Sequence, residues 1–289
     1  LGGANDYRAV DVPGLPADKE LGDAWLGVFK SIDCGHSWVS TLLPGYPQDR
    51  SAEGLASPLK GLQAAADATV RSGPGGILYY SGIAFNRGTN DIGKVFVARF
   101  LDRNNKEKGD PVQYAGAVQI DVGTSGQFLD KPWIAVDEPR GTATCTVDGE
   151  TVPAAPVYLT YTSFVGSTSN PHSKIMFSKS TDCGATWSNP SKLSESFALN
   201  QGTVMAVSPV DGSISIAWRE FADPGLDPNL PTTVGAILFA RSTDGGKSFS
   251  KAQAIDARVQ PFDQGTSGVS FRTNAYPTMA IDGTGRIYV

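Results

Sequence analysis

The stretch Ser31 to Trp38, SIDCGHSW, sets an acid, a thiol, an imidazole and a hydroxyl close together. Those types are the material of nucleophilic or acid–base catalysis. Two further stretches argue for a different role. STDCGATW runs from Ser180 to Trp187 and STDGGKSF from Ser242 to Phe249. Each reads Ser, any, Asp, any, Gly, two variable residues, then an aromatic ring. Ala185 and Lys247 stand where the first copy has His36, so His36 reads as an exposed turn residue rather than a base. The shared members have a mechanical use. Asp and Ser bond backbone groups of their own turn, Gly takes an angle closed to other residues, and the ring anchors the hairpin. The scaffold set is therefore Ser31, Asp33, Gly35 and Trp38, then Ser180, Asp182, Gly184 and Trp187, then Ser242, Asp244, Gly246 and Phe249. Trp38, Trp187 and Phe249 are expected to be buried beside their turns.

The boxes recur with a period of roughly seventy residues once a degenerate copy at Asp102, in KVFVARFLDRNN, is included. Apolar strands surround each one. KPWIAVD (131–137), GTVMAVS (202–208) and YPTMAID (276–282) open units; ILYYSGIAF, PVYLTYTSF and SISIAWREF follow. A third strand enters the box and a fourth leaves it, most clearly KAQAIDA (251–257). Four short antiparallel strands repeated about an axis predict an all-β β-propeller. The expectation is one propeller domain over 1–289, an incomplete arc of about four blades plus fragments at its ends. The blades run roughly over 1–60, 61–126, 127–198 and 199–260, and the next starts at 274–289. The first residue is Leu1, without Met or signal sequence, which is read as a processed product or part of a longer chain.

Composition excludes other classes. A net charge of −5 with no Lys/Arg cluster argues against a nucleic-acid partner. No run approaches the roughly 18 apolar residues of a membrane span. His36 and His172 are the two histidines, too few for a multi-His zinc site. No cofactor is implied. The acidic loop EFADPGLDPN (220–229) offers oxygen ligands to calcium, but no specific motif supports a metal site.

The three boxes resemble the Asp-box, or bacterial neuraminidase repeat, of sialidases and other secreted propellers. The resemblance covers nearly the whole chain and implies six or more blades in the full protein. It places the active site on the face opposite the boxes, where second strands end. Asn5, Asp6, Tyr7, Arg8, Asn86, Arg87, Arg219 and Glu220 lie there, with Arg272, Asn274 and Tyr276 on the way into the fifth blade. A sialidase holds its substrate carboxylate with Arg side chains, a task that suits a planar guanidinium, and uses a Tyr nucleophile with a Glu and an Asp acid/base. The resemblance thus assigns Asp6, Tyr7 and Glu220 to catalysis and Arg8, Arg87, Arg219 and Arg272 to substrate. The Arg-Ile-Pro triplet of sialidases is absent from these residues, and solvated rim positions are the plainer reading of each Arg.

Two functions stay open. One is sialidase-like glycan recognition with glycoside hydrolysis. The other is a non-catalytic extracellular propeller for binding, adhesion or assembly, favoured by the long Pro-rich loops DVPGLPADKELGDA and ADPGLDPNLPTTV. Its partner is a glycan or an extracellular protein surface. Cys145 lies between first and second strands, and Cys183 follows the third strand of the same blade. Those loops share one end of a meander, so a Cys145–Cys183 disulfide is expected, together with a secreted, cell-surface or periplasmic location. Cys34 is then expected to pair upstream of Leu1.

Overall fold

The computed structural model describes residues 1–7, 24–87, 92–104, 106, 110–124, 126–167, 170–195, 198–221, 235–259 and 275–289. Arg8, Arg272, Asn274, residues 11–23 of the first Pro-rich loop and 222–234 of the second lie outside them. Within them, short apolar runs punctuated by Gly, Pro, Asn and Asp become strands. The one α-helix among the described residues is α1 (Ala52–Ala56), where the Ser51 hydroxyl accepts from the Gly54 N–H at 2.9 Å.

The strands form successive antiparallel blades of a β-propeller. The first sheet is β1 (Gly2–Asp6), β2 (Trp25–Lys30) and β3 (Val39–Leu42). The second is β4 (Ala64–Ser72), β5 (Ile77–Phe85), β6 (Gly93–Leu101) and β7 (Gln113–Gly123). In the third, β8 (Phe128–Val136) pairs with β11 (Val157–Ser167), then β12 (Asn170–Ser180) and β13 (Ser191–Lys192). A separate hairpin of β9 (Thr144–Val147) and β10 (Glu150–Pro153) is inserted between β8 and β11. The fourth sheet is β14 (Leu199–Val207), β15 (Ile214–Phe221), β16 (Gly235–Ser242) and β17 (Gln253–Val259). A two-stranded start follows, β18 (Ala280–Ile281) with β19 (Ile287–Tyr288). The inner strands β4, β8, β14 and β18 pack side by side around the axis.

A single sheet cannot cover both of its faces, so the core is distributed between blades. Trp25, Leu26 and Val28 of the first blade meet Tyr80, Phe96 and Phe100 of the second. Ile77, Tyr79 and Val97 meet Leu159, Tyr161 and Cys183 of the third. Tyr158 and Phe177 meet Ile214, Ile216 and Trp218 of the fourth.

The three boxes share one set of hydrogen bonds. Ser180 Oγ donates to Asp182 Oδ1 at 2.7 Å and accepts from Gly184 N at 2.9 Å. Asp182 accepts from Thr186 N at 2.9 Å and from its hydroxyl at 2.6 Å. Ser31, Asp33 and Ser37 repeat the arrangement, as do Ser242, Asp244 and Ser248. Two consecutive left-handed residues close each turn: Cys34 and Gly35, Cys183 and Gly184, Gly245 and Gly246. Bonds from Ser37 and Ser31 hold the Asp33 carboxyl below the ordinary range, and Ser248 and Ser242 do so for Asp244. At Asp182 burial pushes upward, and bonds from Thr186 and Ser180 outweigh it.

The boxes also join blades. In the first three blades the basic residue directly before the box position reaches the following box. Lys30 Nζ lies 3.0 Å from Asp102 Oδ1, Arg99 donates to Cys183 O at 3.5 Å, and Lys179 donates to Gly245 O at 2.6 Å. The box rings point back the other way. Trp187 packs on the core shared with the second blade, and Phe249 stands edge-on to Phe177 of the third at 4.9 Å. Trp38 departs from the expected burial and is 53% exposed. Its ring lies against its own blade, beside Gly2 and Gly35, with Nε1 donating to Gly35 O at 3.1 Å. Cys145 and Cys183 are joined by a disulfide, with Cα atoms 6.1 Å apart, tying the β9–β10 hairpin to its own blade's box. Cys34 is exposed and free.

Candidate functional site

Three inner strands carry a bulge at the same place. Between Ala66 and Thr69, between Asp130 and Trp133, and between Gln201 and Val204, the inner strand has one residue more than its partner. The first extra residue is left-handed each time: Asp67 at φ 60°, Lys131 at 46° and Gly202 at 71°. Glycine adopts that angle freely. An Asp or Lys held there is strained, and such strain together with a bulge re-aims side chains at functional sites. In the aligned segment YPTMAID, Tyr276 takes the same position.

These bulges lie at the opposite end of the blades from the boxes. In the third blade Ser180 pairs with Val157, which pairs with Val136, whereas Asp130 pairs with Thr162. The bulged ends bring together residues distant in sequence. The Asn5 side-chain oxygen accepts from the Asp67 N–H at 3.1 Å. The carboxyl groups of Asp67 and Asp130 are hydrogen-bonded to each other. Gln201 Nε2 donates to Asp130 Oδ2 at 2.5 Å, and Gln201 Oε1 accepts from the Tyr276 hydroxyl at 2.7 Å. Lys131 Nζ sits 5.5 Å from the centroid of the Tyr276 ring. One hydrogen-bonded chain thus crosses five blades.

Its electrostatic centre is Asp130, which is 8% exposed. Burial first, then the bond and charge of Asp67, push its carboxyl up to about 6, against the opposing pull of Lys131 and Gln201. Two carboxylates in contact cannot both ionise cheaply, so a proton stays on Asp130 far above the usual carboxylate range. The left-handed Gly202 makes room for the chain's last member. A Cβ there would overlap the Tyr276 ring.

The residues singled out in the sequence are placed differently from one another. Asp6 is buried, its carboxylate beside Gly27, while the next residue, Tyr7, is 67% exposed. Arg87 is exposed, its guanidinium 5.3 Å over the Phe85 ring. Arg219 is 1% exposed, stacks 4.1 Å over Phe221 and donates to Ala275 O at 3.2 Å. Glu220 is half-buried and leaves β15 on the face opposite Arg219, as strand alternation requires. Asn5 and Tyr276 belong to the hydrogen-bonded chain. Asp67, Asp130, Lys131 and Gln201 were not foreseen, and aligning the starts of the inner strands is the signal that finds them.

No family model matches the chain, and no curated protein matches it. Solved structures resemble it at low identity. An α-L-arabinofuranosidase of Fusarium graminearum superposes with a TM-score of 0.47 at 13% identity, over 83% of this chain and 61% of that one. A sialidase of Trypanosoma rangeli gives 0.38 at 18% identity, over 80% of this chain and 33% of that one. An intramolecular trans-sialidase from Ruminococcus gnavus gives 0.35 at 14%, over 81% and 64%. This chain spans less than two thirds of the length of each.

Proposed function

We propose that the chain is the glycan-binding arc of an extracellular or periplasmic Asp-box propeller, and that Asp130 gives its proton to a glycosidic oxygen. The observation that carries this reading is the Asp67–Asp130 carboxyl pair at the bulged end of the inner strands. A carboxyl kept protonated to about pH 6 is a general acid matched to near-neutral hydrolysis. Asp67 and Asp130 touch, whereas the two flanking carboxyls of a glycosidase stand roughly 5 to 9.5 Å apart. Asp67 therefore tunes Asp130, and the second reacting group comes from another residue of the same end. The sialidase resemblance assigns Tyr7 and Glu220 to that role. Gln201 orients Tyr276 without being able to deprotonate it, because an amide oxygen is no base. The Cys145–Cys183 bridge supports an oxidising compartment.

The rival, a binding or adhesion propeller, has its own support. The same chain of bonds links neighbouring blades, as a purely structural clamp would. The test is hydrolysis of a panel of 4-nitrophenyl and 4-methylumbelliferyl glycosides, arabinofuranosides and sialosides included. The enzyme reading expects turnover, with Asp130→Asn lowering kcat/KM by about 10²-fold or more on a substrate that needs leaving-group protonation. Absence of turnover across the panel favours the rival.

A further inference from the structure

The bulged end carries a second feature that the carboxyl pair does not use. Phe85 closes β5, Phe128 opens β8, and Phe164 lies opposite Phe128 in β11. Phe128 stands edge-on to Phe85 at 6.1 Å between centroids and lies 6.5 Å from Phe164. Phe128 is 43% exposed, at the rim of the core between the second and third blades rather than inside it. Arg87 stacks over Phe85, and its backbone is fixed: Arg87 N donates to Gln63 Oε1 at 2.8 Å, while Gln63 N donates to the Asn86 side chain at 3.1 Å. Phe128 and Asp130 lie two residues apart on one strand, about 7 Å along it. That is the scale of one sugar ring.

We infer that Phe128, with Phe85, Phe164 and Arg87, forms a subsite for a second sugar ring, the neighbour of the one whose glycosidic oxygen meets Asp130. The inference rests on the reading above. A pyranose or furanose presents an apolar C–H face and a rim of hydroxyls. Rigid aromatic rings cover the first at low entropic cost, and a guanidinium beside them donates to the second. A platform continuous with the proton donor is suited to an oligosaccharide, whose length it can read.

The experiment is calorimetric titration of the protein with arabinose, arabinobiose, sialic acid and sialyllactose. In the wild type, one of the two disaccharide-containing ligands should bind roughly tenfold more tightly than its single sugar. Phe128→Ala should bring that ratio to about one and leave the single sugar's Kd unchanged. Phe128→Trp, which keeps an aromatic face should the smaller side chain perturb folding, should retain the ratio. Asp130→Asn should weaken the single sugar and leave the ratio intact. A ratio that survives Phe128→Ala, or a loss shared equally by both ligands, overturns the subsite. Sugar binding indifferent to Asp130→Asn but sensitive to Phe128 removes the reading of Asp130 and keeps an aromatic sugar site. Binding of none of the four sugars removes both.

Discussion

The two ends of the blades follow opposite rules. At the box end, backbone and side chains repeat together: three turns carry the same Ser, Asp and Gly in the same hydrogen bonds. At the other end only the backbone repeats. The bulge recurs in three inner strands, yet its left-handed position holds Asp67, Lys131 and Gly202, and the aligned residue of the next unit is Tyr276. Uniform side chains do one job several times, which suits holding blades together. Divergent side chains on a uniform backbone converge on one axis and make a single asymmetric site. Side-chain divergence at a repeated backbone position is the better pointer to chemistry.

Substitutions at the two ends should differ in what they cost. The largest expected effect is on the box end. Replacing both Cys145 and Cys183 by Ala, which opens a bridge of sequence separation 38, should lower unfolding free energy by about 4 kcal/mol in the chain-entropy model. Urea unfolding measures it, and glycoside turnover should be unchanged in the folded protein. Trp187→Ala should cost about 3 kcal/mol, and the equivalent Trp38→Ala less than about 1, since only the first ring packs on a neighbouring blade. Equal losses would contradict the packing argument.

At the opposite end, Gly202→Ala should cost about 1 to 2 kcal/mol, because its angle is left-handed and its new methyl meets Tyr276. The telling readout is the alkaline limb of the pH–activity profile, where Asp130 loses its proton and which should move as Tyr276 releases Gln201 from Asp130. Box substitutions should leave that limb in place.

The smallest effect is on the pH dependence of stability, and its sign differs between the ends. The lowered carboxyls of Asp33, Asp182 and Asp244 contribute stability that is present above about pH 4 and lost as pH falls toward their folded values. Asp130 is raised, so its contribution is complete below its unfolded value and is lost as pH rises through about 6. Unfolding free energy should therefore fall slightly between pH 4 and 6 in the wild type. Asp130→Asn should flatten that slope and keep the loss at lower pH.

The fold was legible because the box is local: its residues lie within one turn, and strand alternation surrounds it. The site was not, because its members come from five blades. The strands KPWIAVD and GTVMAVS begin at the bulge position itself and YPTMAID at the aligned one, yet Lys131 and Gly202 look like ordinary strand starts until their dihedral angles are known. Asp130 carries no motif, and its unusual proton affinity arises from burial and from Asp67, more than sixty residues away. The β9–β10 hairpin was missed for a different reason. Its Asp148-Gly149 pair is a hairpin turn signal, but the short strands beside it read as a loop.

The box rings also give the array a polarity. Trp187 rests on the blade before its own, and so does Phe249, while the lysines and arginine ahead of the boxes reach forward to the same junctions. Loss of one blade would therefore unseat the ring of the blade that follows and strip the aromatic cover from the blade before it. In a nearest-neighbour description, the coupling between blades is directional in its consequences.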